Sequence, residues 1–571
     1  SVITKYYHPA TDQMMLLGSL FLAIIYVVLL LYLAGEKKFL WVIVLALFLP
    51  LIAGKDAIYF SHSFILSLLV YRVILPENHP DKLKFSHYTF IILSVGFFSF
   101  GLLPTIKGTM LVTVVITTGL SAFVLLINKQ KALAVVILIA PVFSFMFFWY
   151  AAGQTWRALP SFFISLSQII SGYTEAMAIT GSHSEIFFFL ITVVIIFFTL
   201  VVDKPFHFPS KLFLLFNYAF FLFVAFKNGF VRHDGHALTV AGAIVLSVLL
   251  LPFVTKNKLI LPSFLFAIMT WIIITSHYGN PEPSILYNQF TRVYINAWQG
   301  FEERYINKKN LREEYEDSLA EIQSEINIPV LDGTTDLYPH NQAYLIASDN
   351  KWNPRPVMQS YSAYTPWLAQ TNANHVLGDN APDNILFKVA AIDGRLPALE
   401  DGFSWPAIID RYEMQGFIGP YLHLQKLPLT TELYPLLKNL YDGKSVLNNW
   451  FALPDVKEPI FAKVSISPTF LGRVYALLYK PPEIRMELVL ANGEKKDFRV
   501  VTSMMESEFL ISPLVETTGD FVFILDKSKY SDENIVQRIK IYPITPFGHN
   551  TPSWLMWLWK PTYEVELSTL E

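Results

Sequence analysis

The chain has 571 residues, 53% of them hydrophobic and 16% charged, with a mean hydropathy of +0.41, which excludes an ordinary soluble protein and points to the membrane. The formal net charge of −3 gives no basis for a nucleic-acid partner. The absence of cysteine excludes disulfides and thiolate metal sites.

Apolar runs of the length a bilayer demands (roughly 17–25 residues) fill the first half of the chain. They predict ten spans, near 14–34, 39–54, 57–76, 87–104, 109–128, 132–151, 186–202, 211–230, 236–254 and 259–276. The first reads as a span rather than a cleaved leader, because no basic segment precedes it. The stretch 155–185 is too polar to face lipid and is punctuated by Gly153, Pro160 and Gly172; it reads as a re-entrant or interfacial pair of short helices. With the N-terminus outside and 155–185 not spanning, the inside loops carry eleven Lys or Arg and the outside segments six. Counting 155–185 as a span weakens that bias, so the positive-inside rule favours ten spans with the C-terminal half outside the cytoplasm.

That topology puts "FKNGFVRHDGHALTV" (226–240) at the outer interface, with Lys227, Arg232, His233, Asp234 and His236 between two apolar runs. Five ionisable groups in ten residues exceed what keeps a loop wet, and ionisable groups at a membrane boundary are expensive unless used. Lys227 and Arg232 suit an anion, arginine by paired hydrogen bonds. Asp234 or His236 suits a base. Asp56, beside Lys55 at the outer start of a span, is a second carboxylate candidate, although a helix dipole alone also favours an Asp there. Arg157 and Glu175 on the 155–185 segment come third. His233 and His236 lack the further ligands a metal site needs, so no metal site is assigned. No phosphate-binding loop, dinucleotide fingerprint or nucleophile elbow occurs, so energy must come from an activated substrate or a gradient.

The second half reads as water-soluble protein. The membrane domain is taken as 1–280 and a charged helical connector as 281–330, an amphipathic helix lying on the membrane or on the domain. An α/β unit follows at 331–455, and a β-sandwich or jelly roll at 456–571. The strands expected in the last region are "FAKVSIS", "YALLYK", "MELVLANGEKKDFRVV" with a tight turn at Asn492-Gly493, "EFLISPLV", "DFVFILD" and "VQRIKIYPI". Trp554, Trp557 and Trp559 either touch the membrane interface or pack the sandwich edge. In "NPRPVMQSYSAYTPW", Arg355, Gln359, Tyr361, Tyr364 and Trp367 form a polar and aromatic cluster of the kind that suits sugar rings.

On "FKNGFVRHDGH", "WNPRPVMQSYSAYT", "IDGRLPALEDG" and "LGRVYALLYKPP" followed by "EFLISPLV", across roughly 220–545, the chain resembles bacterial polytopic membrane proteins grouped with GT-C-type, polyprenyl-phosphate-dependent glycosyltransferases. The resemblance implies an outward cavity for a lipid-phosphate-linked sugar, a carboxylate (Asp56 or Asp234) that activates the acceptor, and a phosphate clamp of Lys227 and Arg232, joined by Lys55 and Arg157. It departs from the family pattern in having only Asp56 in the first outer loop and an N-terminus predicted outside. The expectation is a multi-pass glycosyltransferase of the bacterial inner membrane, with the C-terminal domain extracytoplasmic. It would take a lipid-linked phosphate donor and a glycan or protein acceptor among membrane lipids. No cofactor is required by the motifs, and a divalent cation, Mg or Mn, is left open. Two other readings stay open: a transporter or flippase of lipid-linked glycans, and an assembly protein of the polymerase, ligase or structural kind.

Overall fold

The computed structural model describes residues 9–35, 38–203, 207–279, 282–308, 311–428, 437–526, 534–544 and 557–570. Two compact units form. One comprises Pro9–Pro160 and Ile179–Asn310, the other Ser161–Ala178 and Leu311–Glu571.

The first unit is helical. Its elements are α1 (Pro9–Ala34), α2 (Phe39–Ile52), α3 (Lys55–Val73), α4 (His87–Phe98, continued by short turns to Ile106), α5 (Gly108–Ile127) and α6 (Lys131–Ala151). After α7 (Leu159–Ala176) come α8 (His183–Val202), α9 (Phe208–Phe230), α10 (Ala237–Leu249), α11 (Ile260–Tyr278) and α12 (Pro283–Phe301). Seven of these helices are long and apolar enough to cross a membrane: α1, α4 with its extension, α5, α6, α8, α9 and α11. A multi-pass membrane protein follows, since within lipid every backbone group must be paired inside its own helix.

The helices that fall short do so for a physical reason. Helix α3 is buried along nearly its whole length, so its polar groups meet protein rather than lipid. Tyr26 Oη lies 2.8 Å from Ser61 Oγ, and His62 Nε2 lies 2.7 Å from Ser99 Oγ. Helix α10 is buried at almost every residue. Around this centre, small and hydroxylated residues join the helices. Thr192 pairs with Thr270 and Thr199 with Ser263 between α8 and α11, each at 2.9 Å. At Gly101 a Cβ would lie 2.2 Å from the Phe145 backbone nitrogen, so only glycine lets these two backbones touch.

The second unit is rich in sheet. Helix α13 (Leu311–Glu325) leads into β1 (Thr334–Leu337) and β2 (Lys351–Trp352). Helix α14 (Pro366–Leu377), β3 (Asn384–Phe387), helix α15 (Trp405–Arg411), β4 (Tyr412–Ile418) and β5 (Tyr421–Lys426) complete a sheet of order β2-β1-β3-β5-β4. Its β1, β2 and β3 are parallel, and β5 and β4 are antiparallel. Then follow β6 (Leu437–Val446), β7 (Trp450–Ala452), β8 (Ile460–Ser465), α16 (Phe470–Leu478), β9 (Glu483–Leu490), β10 (Lys495–Val500), β11 (Phe509–Ser512), α17 (Thr518–Leu525), β12 (Val536–Ile544) and β13 (Thr562–Leu570). They make two four-stranded sheets, β10-β9-β12-β7 and β11-β8-β13-β6. Alternate residues of β8, β9, β12 and β13 meet in one core, as the two-residue period of a strand requires.

Three expectations change. The stretch 155–185 does not form a pair of short helices. Most of it is the single helix α7, which packs on the sheet core through Tyr173, Ala176 and Met177. Its last carbonyls, which a helix end leaves unpaired, accept from two arginines: Arg499 to Glu175 O at 2.8 Å and Ala176 O at 2.9 Å, and Arg395 to Ala176 O at 2.6 Å. The Glu175 carboxylate accepts from Thr502 N and Oγ1 at 2.6 and 2.8 Å, so it serves this docking. "YALLYK" and "DFVFILD" are helical, in α16 and α17. Thr469 caps the first, and a Thr517–Asp520 capping box starts the second. The connector is two helices, α12 and α13, that belong to different units. Of the tail tryptophans, Trp559 is a core residue and Trp557 is exposed; Trp554 lies outside the described residues.

Inside the sheet-rich unit, burial pushes Asp401 up to about 7 against the opposing pull of Arg355, Asn372 and Ser404, and pushes Glu400 up to about 7 against the Ile392 N–H and Arg395. A raised carboxylate favours the fold while protonated. Its contribution is complete below the ordinary carboxylate range near 4 and is lost as pH rises through about 7. The melting temperature of this unit is therefore expected to fall between pH 5 and pH 8. Asp401→Asn should flatten that slope, and calorimetry of the full chain at both pH values checks it.

Candidate functional site

The ends of α3, α8, α9, α10 and α11 meet at one end of the helical unit, and three carboxylates stand there, each in its own polar network. The loop after α9 is held by the segment entering α8. Ile179 N donates to Val231 O at 3.1 Å and His233 N donates to Ile179 O at 3.2 Å, a single bridge of parallel strand. Gly181 permits it, because a Cβ there would lie 2.4 Å from His233 Cγ.

Within the loop, Asp234 gathers its neighbours. Its Oδ2 is 3.0 Å from Arg232 Nε, and its Oδ1 accepts from His236 N at 3.0 Å and lies 2.6 Å from His236 Nδ1. Partial burial works to raise the Asp234 carboxyl, but the His236 bonds and Arg232 outweigh it and hold the group below the usual carboxylate range. An ionised carboxylate only accepts, so His236 Nδ1 donates to it and Nε2 is left facing away from the carboxylate. The Asp234 and His236 side chains are 36% and 41% exposed, enough to meet a substrate.

Behind this loop lies a deeper network. Glu185, fully buried in the first turn of α8, has Oε2 at 2.7 Å from His233 Nε2 and Oε1 at 2.5 Å from His277 Nδ1. His233 is fully buried and His277 half-exposed, and Tyr278 Oη donates to His233 O at 3.3 Å. The third carboxylate, Asp56, starts α3. Its Oδ2 is 2.5 Å from Lys107 Nζ and 3.3 Å from Asn228 Nδ2, and Asn228 precedes Gly229 in the last turn of α9.

Comparison with known protein families, curated proteins and solved structures finds no match. The chemistry of these side chains therefore carries the functional argument.

The structure brings Arg232, Asp234 and His236 into one network and Asp56 into a second, one helical turn of α9 away. Lys227 is half-buried in that same turn. Lys55 and Arg157 are exposed on the helical unit and join neither network among the described residues. Glu185, His277, Lys107 and Asn228 were not expected. A lone carboxylate opening the apolar run after "GSHS" was the available signal for Glu185. His233 and His236 turn to different carboxylates, and among the described residues no three His, Asp or Glu side chains are arranged to hold a metal. A separate cleft of about 290 Å³ opens at the opposite end of the helical unit, lined by Tyr71, His79, Asp203, His207, Ser210 and Lys211 among others.

In the sheet-rich unit the aromatic cluster divides. Arg355 is fully buried and presents no surface to a glycan. Tyr364 is buried as well, with its Cβ at 2.3 Å from where a Cβ on Gly172 of α7 would stand. Both are structural because their side chains close the core around α7 and β1. Gln359 and Trp367 are exposed. Tyr361 is half-buried, its ring 5.7 Å from that of His340.

Proposed function

We propose that the protein is an integral-membrane glycosyltransferase that moves a sugar or glycan from a lipid-linked phosphate donor to an acceptor outside the cytoplasm. The observation that carries this reading is the Asp234–His236 pair, with Arg232 bound to the same carboxylate. The acceptor hydroxyl gives its proton to His236 Nε2 as its oxygen bonds to the anomeric carbon. The bond from that carbon to the donor phosphate breaks, and the lipid phosphate departs with the electron pair. Asp234 holds the ring in the tautomer that accepts and then stabilises the imidazolium. Arg232 and Lys227 supply positive charge where the phosphate develops its own. The exposed Gln359 and Trp367 and the half-buried Tyr361 are the part of the expected glycan surface that remains accessible.

In this reading ten helices span a bacterial inner membrane and the site end faces outward. The distribution of basic residues supports the orientation. Lys38, Arg72, Lys82, Lys84, Lys129, Lys131, Lys211, Lys256 and Lys258 stand at the opposite end, against Lys55, Lys107, Arg157, Lys227 and Arg232 at the site end.

A second reading rests on Glu185. A carboxylate buried between two histidines at the mouth of a helical bundle is the kind of group that relays protons in transporters. One experiment separates the two. The full chain is reconstituted in vesicles with a polyprenyl-phosphate donor carrying a radiolabelled sugar, together with soluble glycan acceptors. Transfer yields labelled acceptor and label-free lipid phosphate, and that is the expected result. Donor that changes leaflet with its sugar still attached, and no labelled acceptor, would replace the enzyme with the carrier.

A further inference from the structure

We infer that α12 is an interfacial membrane helix, its aromatic face seated among lipids at the headgroup boundary on the site end of the helical unit. The inference rests on the multi-pass character of the chain and not on the glycosyltransferase reading.

Read at 100° per residue, α12 is two-sided. Tyr287, Phe290, Val293, Tyr294, Trp298 and Phe301 share one arc, while Asn288, Arg292, Asn296 and Gln299 share the opposite one. The aromatic arc is only partly covered. Phe290 stacks on Phe48 of α2 with ring centroids 5.3 Å apart, and Tyr294 Oη bonds to Leu47 O. On either side of that contact the same face is open: Tyr287 is 68% exposed and Trp298 61%.

What covers the rest is indicated by continuity. Helix α2 is apolar at every position, and its own outer surface is exposed, as at Leu40 and Phe48. Its 14 residues reach about 21 Å, short of the roughly 30 Å of a hydrocarbon core, so it cannot cross upright without help at one end. The open face of α12 adjoins this exposed apolar surface where Phe290 and Tyr294 meet Phe48 and Leu47. It is rich in Tyr and Trp, whose rings with a polar tip favour the water–lipid boundary. The chain also enters α12 at the right level. Helix α11 ends at Tyr278, one residue past His277 of the Glu185 network, and α12 begins at Pro283. An α12 lying in the interface sets the Glu185 and Asp234 networks at headgroup depth, where a lipid-borne phosphate resides.

The chain has no cysteine, so single cysteines can be labelled without background. Positions 287, 293, 298 and 301 on one arc, and 288, 292, 296 and 299 on the other, are spin-labelled one at a time in the full chain reconstituted in bilayers. Collision with oxygen, which concentrates in lipid, is compared with collision with a water-soluble nickel chelate. The expected result is an oxygen-to-nickel ratio that oscillates with the helical period and is several-fold higher on the aromatic arc. Equal nickel access on both arcs would mean a helix in water and overturn the inference. An aromatic arc closed to both reagents would mean cover by protein, from this chain or a second copy, and overturn it equally. As a label-free control, Trp298→Phe should remove part of the fluorescence quenched by brominated lipid; unchanged quenching counts against the inference.

Discussion

Arg355→Ala is expected to cost the sheet-rich unit about 3–5 kcal/mol, the usual penalty for stranding buried charge. The side chain is fully buried and almost fully engaged. One terminal nitrogen donates to Asp336 Oδ2 at 2.8 Å and Leu337 O at 2.9 Å. The other donates to Pro339 O at 2.7 Å and Ser360 Oγ at 3.0 Å. Asp401 Oδ2 lies 3.7 Å from Nε, and the guanidinium lies 3.5 Å from the centroid of the Tyr338 ring. Alanine leaves two buried carboxylates without their cation and several carbonyls without a donor. A loss of that size lowers the melting temperature of a unit this large by on the order of 10 °C. Calorimetry of the full chain in detergent reads it, with the helical unit as internal reference. Adding Asp336→Asn and Asp401→Asn to Arg355→Ala should recover part of the loss, because the stranded charge is then gone. A melting temperature within a degree of the parent's would mean the network does not hold this unit together.

Asp234→Asn and His236→Ala are each expected to lower sugar transfer by roughly 10²–10⁴-fold, the usual contribution of a positioned base, or about 3–5 kcal/mol of barrier. The two act as one device. In the proposed mechanism, asparagine at 234 removes the charge that fixes the tautomer and supports the imidazolium, while alanine at 236 removes the base itself. The double variant should therefore be little worse than either single one. Donor binding should persist in both, since Arg232 and Lys227 are untouched, and a labelled-donor binding assay on the same preparations checks that. Additive losses would mean the residues work separately. Transfer above a third of the parental rate in both would move the base elsewhere, with Glu185 as the next carboxylate to replace.

Local features were legible in the sequence. Asp234, Arg232 and His236 fall within five residues, and a turn brings such neighbours together with little help from the rest of the fold. The network of Glu185, His233 and His277 joins residues up to 92 apart and exists only where α8, the α9–α10 loop and α11 end together. The errors have separate causes. "YALLYK" and "DFVFILD" are short apolar runs that suit a strand or a helix, and periodicity does not decide between them at that length. The caps do decide, and the Thr517–Asp520 box was present in the sequence. Helix α7 was read as two short pieces because Pro160 and Gly172 punctuate the stretch, yet Pro160 falls in the first turn, where proline is tolerated, and Gly172 lies within the helix against Tyr364. Arg355 was assigned to a surface because burial of a charge depends on Asp336 and Asp401, which stand 19 residues before it and 46 after.

The sequence by itself determined that the first half of the chain lives in a membrane, since hydrocarbon admits only long apolar stretches with internally paired backbones, and that the second half alternates as sheet. Only the tertiary structure decided which polar residues are neighbours, that α3 and α10 are the buried helices of the bundle, and that α7 belongs to the sheet core. Those facts depend on which surface covers which, and no stretch of chain carries the identity of its partner.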